Sequence, residues 1–233
     1  MRPAGSPVAS AVVRTPRQPR LVLASASPAR LKLLRAAGIE PDVLVSGVDE
    51  LVVQADLAEE LSLTLAGLKA SAVVDRIGPT SEPGTLVLGC DSVLAFEGEI
   101  LGKPADAEEA TRRWLGMRGR SGVLHTGHSL VDVTTGRTVG GVAATVVHFA
   151  DITEAEIAAY VATGEPMLVA GGFTIDGFGG PFVERVEGDP GTVIGLSLPM
   201  FRTLLSELGV LISDLWTAGS SGTGGTDLLP GNG

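Results

Sequence analysis

The segment from Leu21 to Gly38 constrains the fold most strongly, because it predicts a strand that runs directly into a helix. Its first four residues, Leu21–Ala24, form a short apolar run that is typical of a buried strand. Ser27 then offers an N-cap hydroxyl, Pro28 suits the first helical position, and Gly38 suits the position after the last turn. The segment therefore predicts one complete strand–helix unit near the start of the chain.

Hydroxyl and guanidinium groups surround the start of this predicted helix. Ser25 and Ser27 precede it, and Arg30 lies in its first turn. Free backbone amides and the positive end of the helix dipole favour an anion at such a place, most naturally a phosphate. The alternative is an ordinary strand–helix junction with a good cap, and this segment alone leaves both interpretations open.

The bulk composition excludes several classes of function. A net charge of −10 argues against non-specific binding to nucleic acid, although a few local basic residues can still bind a phosphate. Cys90 is the only cysteine, so the chain cannot form an intramolecular disulfide, which suits a reducing compartment. No apolar run reaches the ~18 residues of a membrane helix. We therefore expect a protein of a reducing compartment that has neither a nucleic acid nor a membrane as partner.

The chain divides into one predicted domain and two polar ends. Residues 1–19 are rich in proline, arginine and small residues, which predicts a disordered basic arm. Residues 217–233 form a Gly/Ser-rich tail, also predicted to be disordered. We expect the folded domain to cover residues 20–216.

Strand-like and helical patterns alternate along this domain. Turn signals at Glu97-Gly98 and at residues 134–136 predict hairpins, and hence antiparallel pairs within the sheet. The predicted fold class is therefore α/β, with a mixed β-sheet flanked by helices. Predicted strands cover 21–24, 43–46, 85–89, 92–96, 99–101, 123–133 and 138–149, and predicted helices include 56–77, 106–117, 154–162 and 198–208.

Four charged residues elsewhere in the chain are candidates for a site. Asp91 follows an apolar run at or near a predicted strand end, where an unpaired charge is costly, so it needs a metal, a lysine or a catalytic role. Lys103 is similarly placed, just after a short strand. For Glu50 the alternative interpretation is a solvated acid in a loop. For Lys69 it is a helix lysine whose aliphatic stem covers apolar surface.

Taken together, these groups suit chemistry on a polyphosphate. Carboxylates can hold Mg²⁺ and orient a water molecule, while lysines and an arginine neutralise phosphate charge. The chain has neither a P-loop nor a G-x-G-x-x-G fingerprint after a strand. The set therefore predicts metal-assisted attack on a phosphoanhydride.

Several motifs stand in the order and spacing of a known family, namely SASPAR, VDE, LAGLKA, GCDSVL, EGEILGKP, TGEPMLVAGGFTIDGFGG and GDPGTVIGLSLP. Over residues 20–209 the chain resembles the Maf-like nucleoside triphosphate pyrophosphatases, and in particular their actinobacterial branch. The resemblance implies hydrolysis of a nucleoside triphosphate to the monophosphate and pyrophosphate, with a divalent metal cation, Mg²⁺ or alternatively Mn²⁺. It also implies a cytoplasmic homodimer whose two lobes surround a cleft, similar to the inosine triphosphate pyrophosphatases.

The resemblance also implies roles for individual residues. Asp91 matches the family's catalytic acid, described as a proton acceptor, and Glu50 matches an acid that could hold the metal together with Asp91. Positions that bind the phosphates in the family are matched here by Ser25, Ser27, Arg30, Lys69 and Lys103.

Three further positions are tied to base selectivity in the family, and the chain departs from the family pattern at each. Ala29 stands where a basic residue or tryptophan is usual, Ser92 where threonine or glutamine is usual, and Asp176 where glutamine or glutamate is usual. Asp176 belongs to a glycine-rich stretch that we expect to line the base pocket. The resemblance therefore implies the reaction but not the preferred base.

Two other functions remain as alternatives. The chain could be a nucleotide-binding regulator of cell division and septum formation with little hydrolysis, or a phosphatase that releases inorganic phosphate from monophosphates. The presence of both Asp91 and Glu50 favours the pyrophosphatase over the regulator, because a protein that only binds needs no such acid pair.

Overall fold

The computed structural model describes residues 18–50, 53–78 and 82–217. The strands are β1 (Arg20–Leu23), β2 (Asp42–Val43), β3 (Thr85–Phe96), β4 (Glu99–Leu101), β5 (Ser121–Asp132), β6 (Thr138–Phe149) and β7 (Val183–Glu187). The helices are α1 (Pro28–Ala36), α2 (Ala58–Ile77), α3 (Ala107–Met117), α4 (Glu154–Ala162), α5 (Pro190–Ile194) and α6 (Leu198–Glu207). The predicted disorder of residues 1–17 and 218–233 lies outside the described residues.

Capping residues explain where several helices begin. The Ser27 hydroxyl accepts the Arg30 N–H at the start of α1, at 3.4 Å. The Asp106 carboxylate accepts the Glu109 N–H at the start of α3, at 2.8 Å, and Thr153 opens α4 with a capping box. These helices therefore begin where the sequence predicts.

The strands of the described part form one mixed seven-stranded sheet, in the order β2-β1-β3-β5-β6-β7, with β4 also paired to β3. β1 is parallel to β2 and β3, and the remaining pairs are antiparallel. Consecutive glycines of β6 face different helices, since Gly140 lies against Leu63 of α2 and Gly141 against Met200 of α6. Helices therefore cover both faces, and the predicted mixed sheet flanked by helices is confirmed.

One prediction about β3 is wrong. The sequence pattern leaves open whether residues 92–96 extend the strand of residues 85–89 or pair with it, and it places Asp91 at or near a strand end. In the structure the second segment extends the first, and β3 runs unbroken through Asp91. Its pairing with β5 continues across the acid, which lies opposite Gly127. A carboxylate is tolerated in the middle of this strand because Lys69 of α2 pairs with it. The acid therefore lies within a paired strand rather than at its end.

Short or edge elements account for the other differences from the predicted strands and helices. β2 covers only Asp42–Val43 instead of residues 43–46. β7 and α5 were not predicted, because β7 is an edge strand with exposed charged residues and α5 has only five residues. Neither segment carries a strong periodic hydrophobic signal.

A gap in strand pairing lies beside the middle of β3. On the β1 side, the last described pair is Leu23 with Leu88, and pairing resumes where Leu101 of β4 meets Leu94. The segment that follows β1 and the segment that follows β4 therefore reach this gap from opposite directions. Asp91 lies on β3 between the two paired regions, so the topology gathers several loops around it.

Two glycines allow α2 to lie close against the sheet. A Cβ atom at Gly89 would overlap the backbone of Ala66, and one at Gly127 would overlap the backbone of Ser62. Glycine at both positions removes this obstacle. The close approach brings the side chain of Lys69, on the same helix, to the carboxylate of Asp91.

An aromatic cluster fixes the segment between α4 and β7. The Trp114 ring packs edge-on against Phe149, Tyr160 and Phe182, with ring centroids 5.5 to 6.0 Å apart. Its indole N–H donates to the Gly172 carbonyl at 2.9 Å. The glycine-rich segment is therefore attached to the protein core.

Across the ranges that the structure describes, every helix is too short or too polar to cross a lipid bilayer.

Because His128 is buried, we expect the fold to lose stability at acid pH. The side chain is fully buried, and its Nε2 accepts the Ser197 N–H at 2.9 Å. Burial, helped by the charge of Arg30, lowers the His128 pKa from 6.5 to about 4. The unfolded chain takes up this proton below pH 6.5, whereas the folded chain does so only near pH 4. The free energy of unfolding should therefore fall by roughly 3 kcal/mol across this window.

Urea denaturation of the wild type and of His128→Gln at several pH values measures this contribution. The variant should lose the His128 part of the pH dependence, while a control with His148→Gln, whose histidine on β6 is only partly buried, should keep it. An equal pH dependence in His128→Gln and wild type would contradict the assignment.

Candidate active site

Two carboxylates and one lysine form the centre of the candidate site. Lys69 Nζ lies 2.5 Å from Asp91 Oδ1 and 2.6 Å from Glu50 Oε1. Asp91 and Lys69 are buried, whereas the Glu50 side chain is 41% exposed. The three groups come from β3, α2 and the loop after β2, so the fold brings together residues that are far apart in the sequence.

The two carboxylates differ in their tendency to hold a proton. Burial raises the Asp91 pKa above its usual range, although Lys69 and Arg30 oppose this shift. Burial also acts to raise the Glu50 pKa, but the hydrogen bond and charge of Lys69, together with Lys103, bring it below its usual value. Glu50 is therefore the stronger acid of the pair, and Asp91 is the better proton acceptor.

Arg30 forms a second group beside this centre. Its Nε donates to the Gly195 carbonyl at 2.6 Å, Nη1 donates to Ser25 Oγ at 3.0 Å, and Nη2 donates to Ser92 Oγ at 3.1 Å. The residue is buried, and its charge acts on the Asp91 carboxyl. A guanidinium with fixed orientation therefore lies at the edge of the carboxylate pair.

The predicted phosphate-binding serines lie at the start of α1. Ser25 Oγ accepts the Ser27 N–H at 3.2 Å, and Ser27 Oγ caps the helix by accepting the Arg30 N–H. Both hydroxyls thus order the turn that holds Arg30. The structure places these three predicted residues together.

Two predicted residues, Lys103 and Asp176, have no hydrogen bond or ion pair with the centre among the described contacts. Lys103 is exposed after β4, and its charge acts on Glu50. Asp176 is exposed, and no hydrogen bond or ion pair within the described ranges joins it to the other predicted site residues. A link exists through the backbone, since the Gly171 N–H donates to the Gly102 carbonyl, next to Lys103, at 3.0 Å.

Glu165 organises the loop that carries Asp176, and the sequence analysis missed it. Its carboxylate accepts the Tyr160 hydroxyl at 2.9 Å, the Thr174 hydroxyl at 2.6 Å, and the N–H groups of Phe178 and Gly179 at 3.0 Å each. These bonds, against the opposing effect of burial, lower the Glu165 pKa. The G-E-P motif before a glycine-rich stretch is the only local sign of this role in the sequence.

Replacing Glu165 with glutamine should destabilise this loop. The amide N–H₂ would face hydroxyl and N–H donors and would leave some of them unpaired, at a cost of about 2 kcal/mol. Urea denaturation measures the loss, and limited proteolysis shows whether cleavage falls within residues 173–180. Glu184→Gln, on exposed β7, is the matched control. Unchanged stability and protease resistance in Glu165→Gln would contradict this role.

The oxygen donors of the centre suit a hard divalent cation. Asp91 and Glu50 both reach one ammonium group, so their carboxylates converge on a small volume. No group of three or more metal-ligating side chains is found in the described ranges. A cation held by this pair would therefore take further oxygen ligands from water or from a bound phosphate.

Taken as a whole, the fold and the site define an α/β protein in which paired carboxylates lie beside cationic groups of fixed orientation, an arrangement that suits an anionic ligand. Residues 20–208 match the family model described as Maf-like protein. The chain belongs to the Maf family, and the resemblance that the motifs indicate is confirmed.

Relatives with high identity support this assignment. A protein of Salinispora tropica is 65% identical over 213 residues, which are 91% of this chain and 94% of that protein. Proteins of Streptomyces coelicolor and Nostoc punctiforme are 58% and 50% identical, covering 84% and 85% of this chain and 94% and 98% of their own lengths. All three are named nucleoside triphosphate pyrophosphatase.

A solved structure, that of the Staphylococcus aureus Ham1 protein, aligns with a TM-score of 0.37 at 20% identity. The alignment covers 57% of this chain and 72% of that chain. A likeness at this level does not by itself support a conclusion about function.

Proposed function

We propose that the protein hydrolyses nucleoside triphosphates to nucleoside monophosphates and pyrophosphate. The observation that carries the proposal is the contact of Lys69 with both Asp91 and Glu50 beside a fixed Arg30. Such a set can activate a water molecule and stabilise phosphate charge at one place. The names of the relatives in Salinispora and Streptomyces support the same reaction.

Asp91 is the residue that takes the proton from the attacking water. Its raised pKa makes it a stronger base than an ordinary aspartate, and its deprotonated form persists beside Lys69. Glu50 stays ionised because its pKa is lowered. The water molecule that has given its proton to Asp91 attacks the α-phosphorus. The bond between the α-phosphorus and the oxygen that bridges it to the β-phosphorus breaks, and pyrophosphate leaves.

Cationic groups stabilise the charge that moves onto the leaving pyrophosphate. Arg30 and Lys69 are buried, so their charges are less screened by solvent than those of surface residues. Lys103 and the N-terminus of α1 add positive potential at the rim of the site. We assign the phosphates of the substrate to the space among these groups.

Asp91 and Glu50 are the proposed ligands of a divalent cation, Mg²⁺ or alternatively Mn²⁺. When bound, the cation supplies charge neutralisation of the phosphate oxygens. A chelator should abolish turnover, and added Mg²⁺ should restore it.

A nucleotide screen with separate assays for pyrophosphate and orthophosphate tests the proposed reaction. Purified protein with Mg²⁺ should release pyrophosphate from some triphosphates, and the pattern gives the base preference. Nucleotide binding without pyrophosphate release would favour the regulator of cell division. Orthophosphate released from monophosphates would favour the phosphatase.

The location and assembly of the protein are also proposals. We propose a cytoplasmic homodimer with no nucleic-acid or membrane partner, supported by the single cysteine, the net charge of −10 and the resemblance to the family. Light scattering after size-exclusion chromatography should give twice the chain mass of 23.7 kDa.

A further inference from the structure

A series of hydrogen-bonded hydroxyl groups, of buried Thr126 and partly buried Ser92, leads from α5 to Arg30. Thr126 Oγ1 lies 2.8 Å from the Thr192 carbonyl and 2.8 Å from Ser92 Oγ. Ser92 Oγ in turn lies 3.1 Å from Arg30 Nη2. Thr126 is fully buried on β5, so it acts through its neighbours rather than by touching a nucleotide.

The groups at the two ends of this hydrogen-bonded series determine which hydroxyl donates and which accepts at each step. A carbonyl oxygen only accepts, so the single Thr126 hydroxyl proton is donated to Thr192. Ser92 must then donate its own proton to Thr126. At its other end a guanidinium only donates, so Ser92 accepts from Arg30. The Ser92 hydroxyl therefore has no proton left for a substrate.

Hydrogen bonds to Gly195 and Ser25 fix the other two nitrogens of the guanidinium. Gly195 has a φ of +116°, and its carbonyl accepts Arg30 Nε at 2.6 Å. A Cβ at this position would lie 3.1 Å from the same nitrogen, so glycine allows the close contact. With Ser25 on Nη1, the described contacts use one N–H on each nitrogen and leave one on each terminal nitrogen. Two N–H groups with fixed direction suit a phosphate.

We propose that Thr126 is a positioning residue that acts through Ser92 to orient Arg30 toward the phosphates of the substrate. Ser92 accordingly contributes to phosphate binding through its contact with Arg30. This inference rests on the proposed function, because it assigns Arg30 to the polyphosphate of the same site. It extends that function by naming the hydroxyl chain that sets the guanidinium geometry.

Inorganic tripolyphosphate is the probe that separates phosphate binding from base recognition, since it has no base. Calorimetry should show that Thr126→Val weakens tripolyphosphate binding by about tenfold, because Ser92 loses the acceptor that fixes its hydroxyl and so no longer holds Arg30 in one orientation. The KM of each nucleoside triphosphate should rise by the same factor, so relative base preference should stay unchanged. Thr126→Ser keeps the hydroxyl and should restore binding.

Thr145→Val is the matched control for a general loss of packing. Thr145 is also buried, and its hydroxyl donates to a backbone carbonyl of the same segment, that of Asp189, at 3.0 Å. It has no contact with Ser92 among the described hydrogen bonds. We expect Thr145→Val to lose stability as Thr126→Val does while binding tripolyphosphate like the wild type.

A double-mutant cycle with Arg30→Ala completes the test. If Thr126 acts through Arg30, adding Thr126→Val to Arg30→Ala should weaken tripolyphosphate binding no further. Additive losses, unaltered binding in Thr126→Val, or a changed base preference would each overturn the proposal. Absence of pyrophosphate release by the wild type would instead contradict the proposed function, while the binding measurements would still test the positioning role.

Discussion

Replacing Asp91 with asparagine is expected to lower kcat by about 10²- to 10⁴-fold. Asparagine keeps the shape of the side chain but cannot take a proton from water. Glu50 remains to pair with Lys69, so the buried ammonium keeps one partner and the fold should persist. Steady-state measurement of pyrophosphate release at pH 7 and above gives the size of the effect.

Asp75→Asn serves as the control for this substitution, because Asp75 lies on α2 away from the carboxylate pair and is not buried. It should have wild-type activity, and a rate near that of the wild type in Asp91→Asn would remove Asp91 from the proton-transfer step.

The pH profile of the wild type gives a second measure of the same group. The proposed mechanism requires Asp91 in its deprotonated form, so kcat/KM should fall as the pH drops through its pKa. Burial raises that pKa above the usual 3.8 in the cation-free protein, and a divalent cation held at Asp91 would lower it, so the acid limb should move to lower pH as the Mg²⁺ concentration rises. At a fixed Mg²⁺ concentration, Lys69→Met removes another positive charge beside Asp91 and should move the limb of the residual activity to higher pH.

Replacing Gly127 with alanine is expected to lower the free energy of unfolding by about 3 kcal/mol. The new Cβ would overlap the backbone of Ser62 and Leu63, and a helix backbone cannot move aside as a flexible side chain can. Displacing α2 would also draw Lys69 away from Asp91. Urea denaturation and pyrophosphate release together should show a loss of both stability and activity.

Gly67→Ala is the matched control, since Gly67 lies within α2 and a Cβ atom added there would meet nothing within 4 Å. Alanine there should stabilise the protein by about 0.5–1 kcal/mol, because glycine is unfavourable inside a helix. Wild-type stability in Gly127→Ala would contradict the close approach of α2 to the sheet.

Local sequence signals were sufficient for much of the fold. The helix starts at Ser27, Asp106 and Thr153 follow from caps whose hydrogen bonds lie within three or four residues. The long strands β5 and β6 follow from sustained apolar runs. β7 and α5 escaped prediction because their place in the structure depends on contacts with distant strands rather than on periodicity.

The candidate site could be predicted as a set of residues but not as an arrangement. Motif order identified Asp91, Glu50, Lys69 and Arg30, yet the sequence contains no sign that one lysine contacts both acids. Thr126 was not predicted, because its role depends on hydroxyl and carbonyl partners 34 and 66 positions away. Contacts of this kind are set by strand register and become visible only in the folded chain.

Hydrolysis of a nucleoside triphosphate in ¹⁸O-labelled water, followed by mass spectrometry of the products, tests the central claim most directly. Attack by water on the α-phosphorus predicts one labelled oxygen in the nucleoside monophosphate and none in the pyrophosphate. Label in the pyrophosphate, or orthophosphate as the only labelled product, would contradict the account.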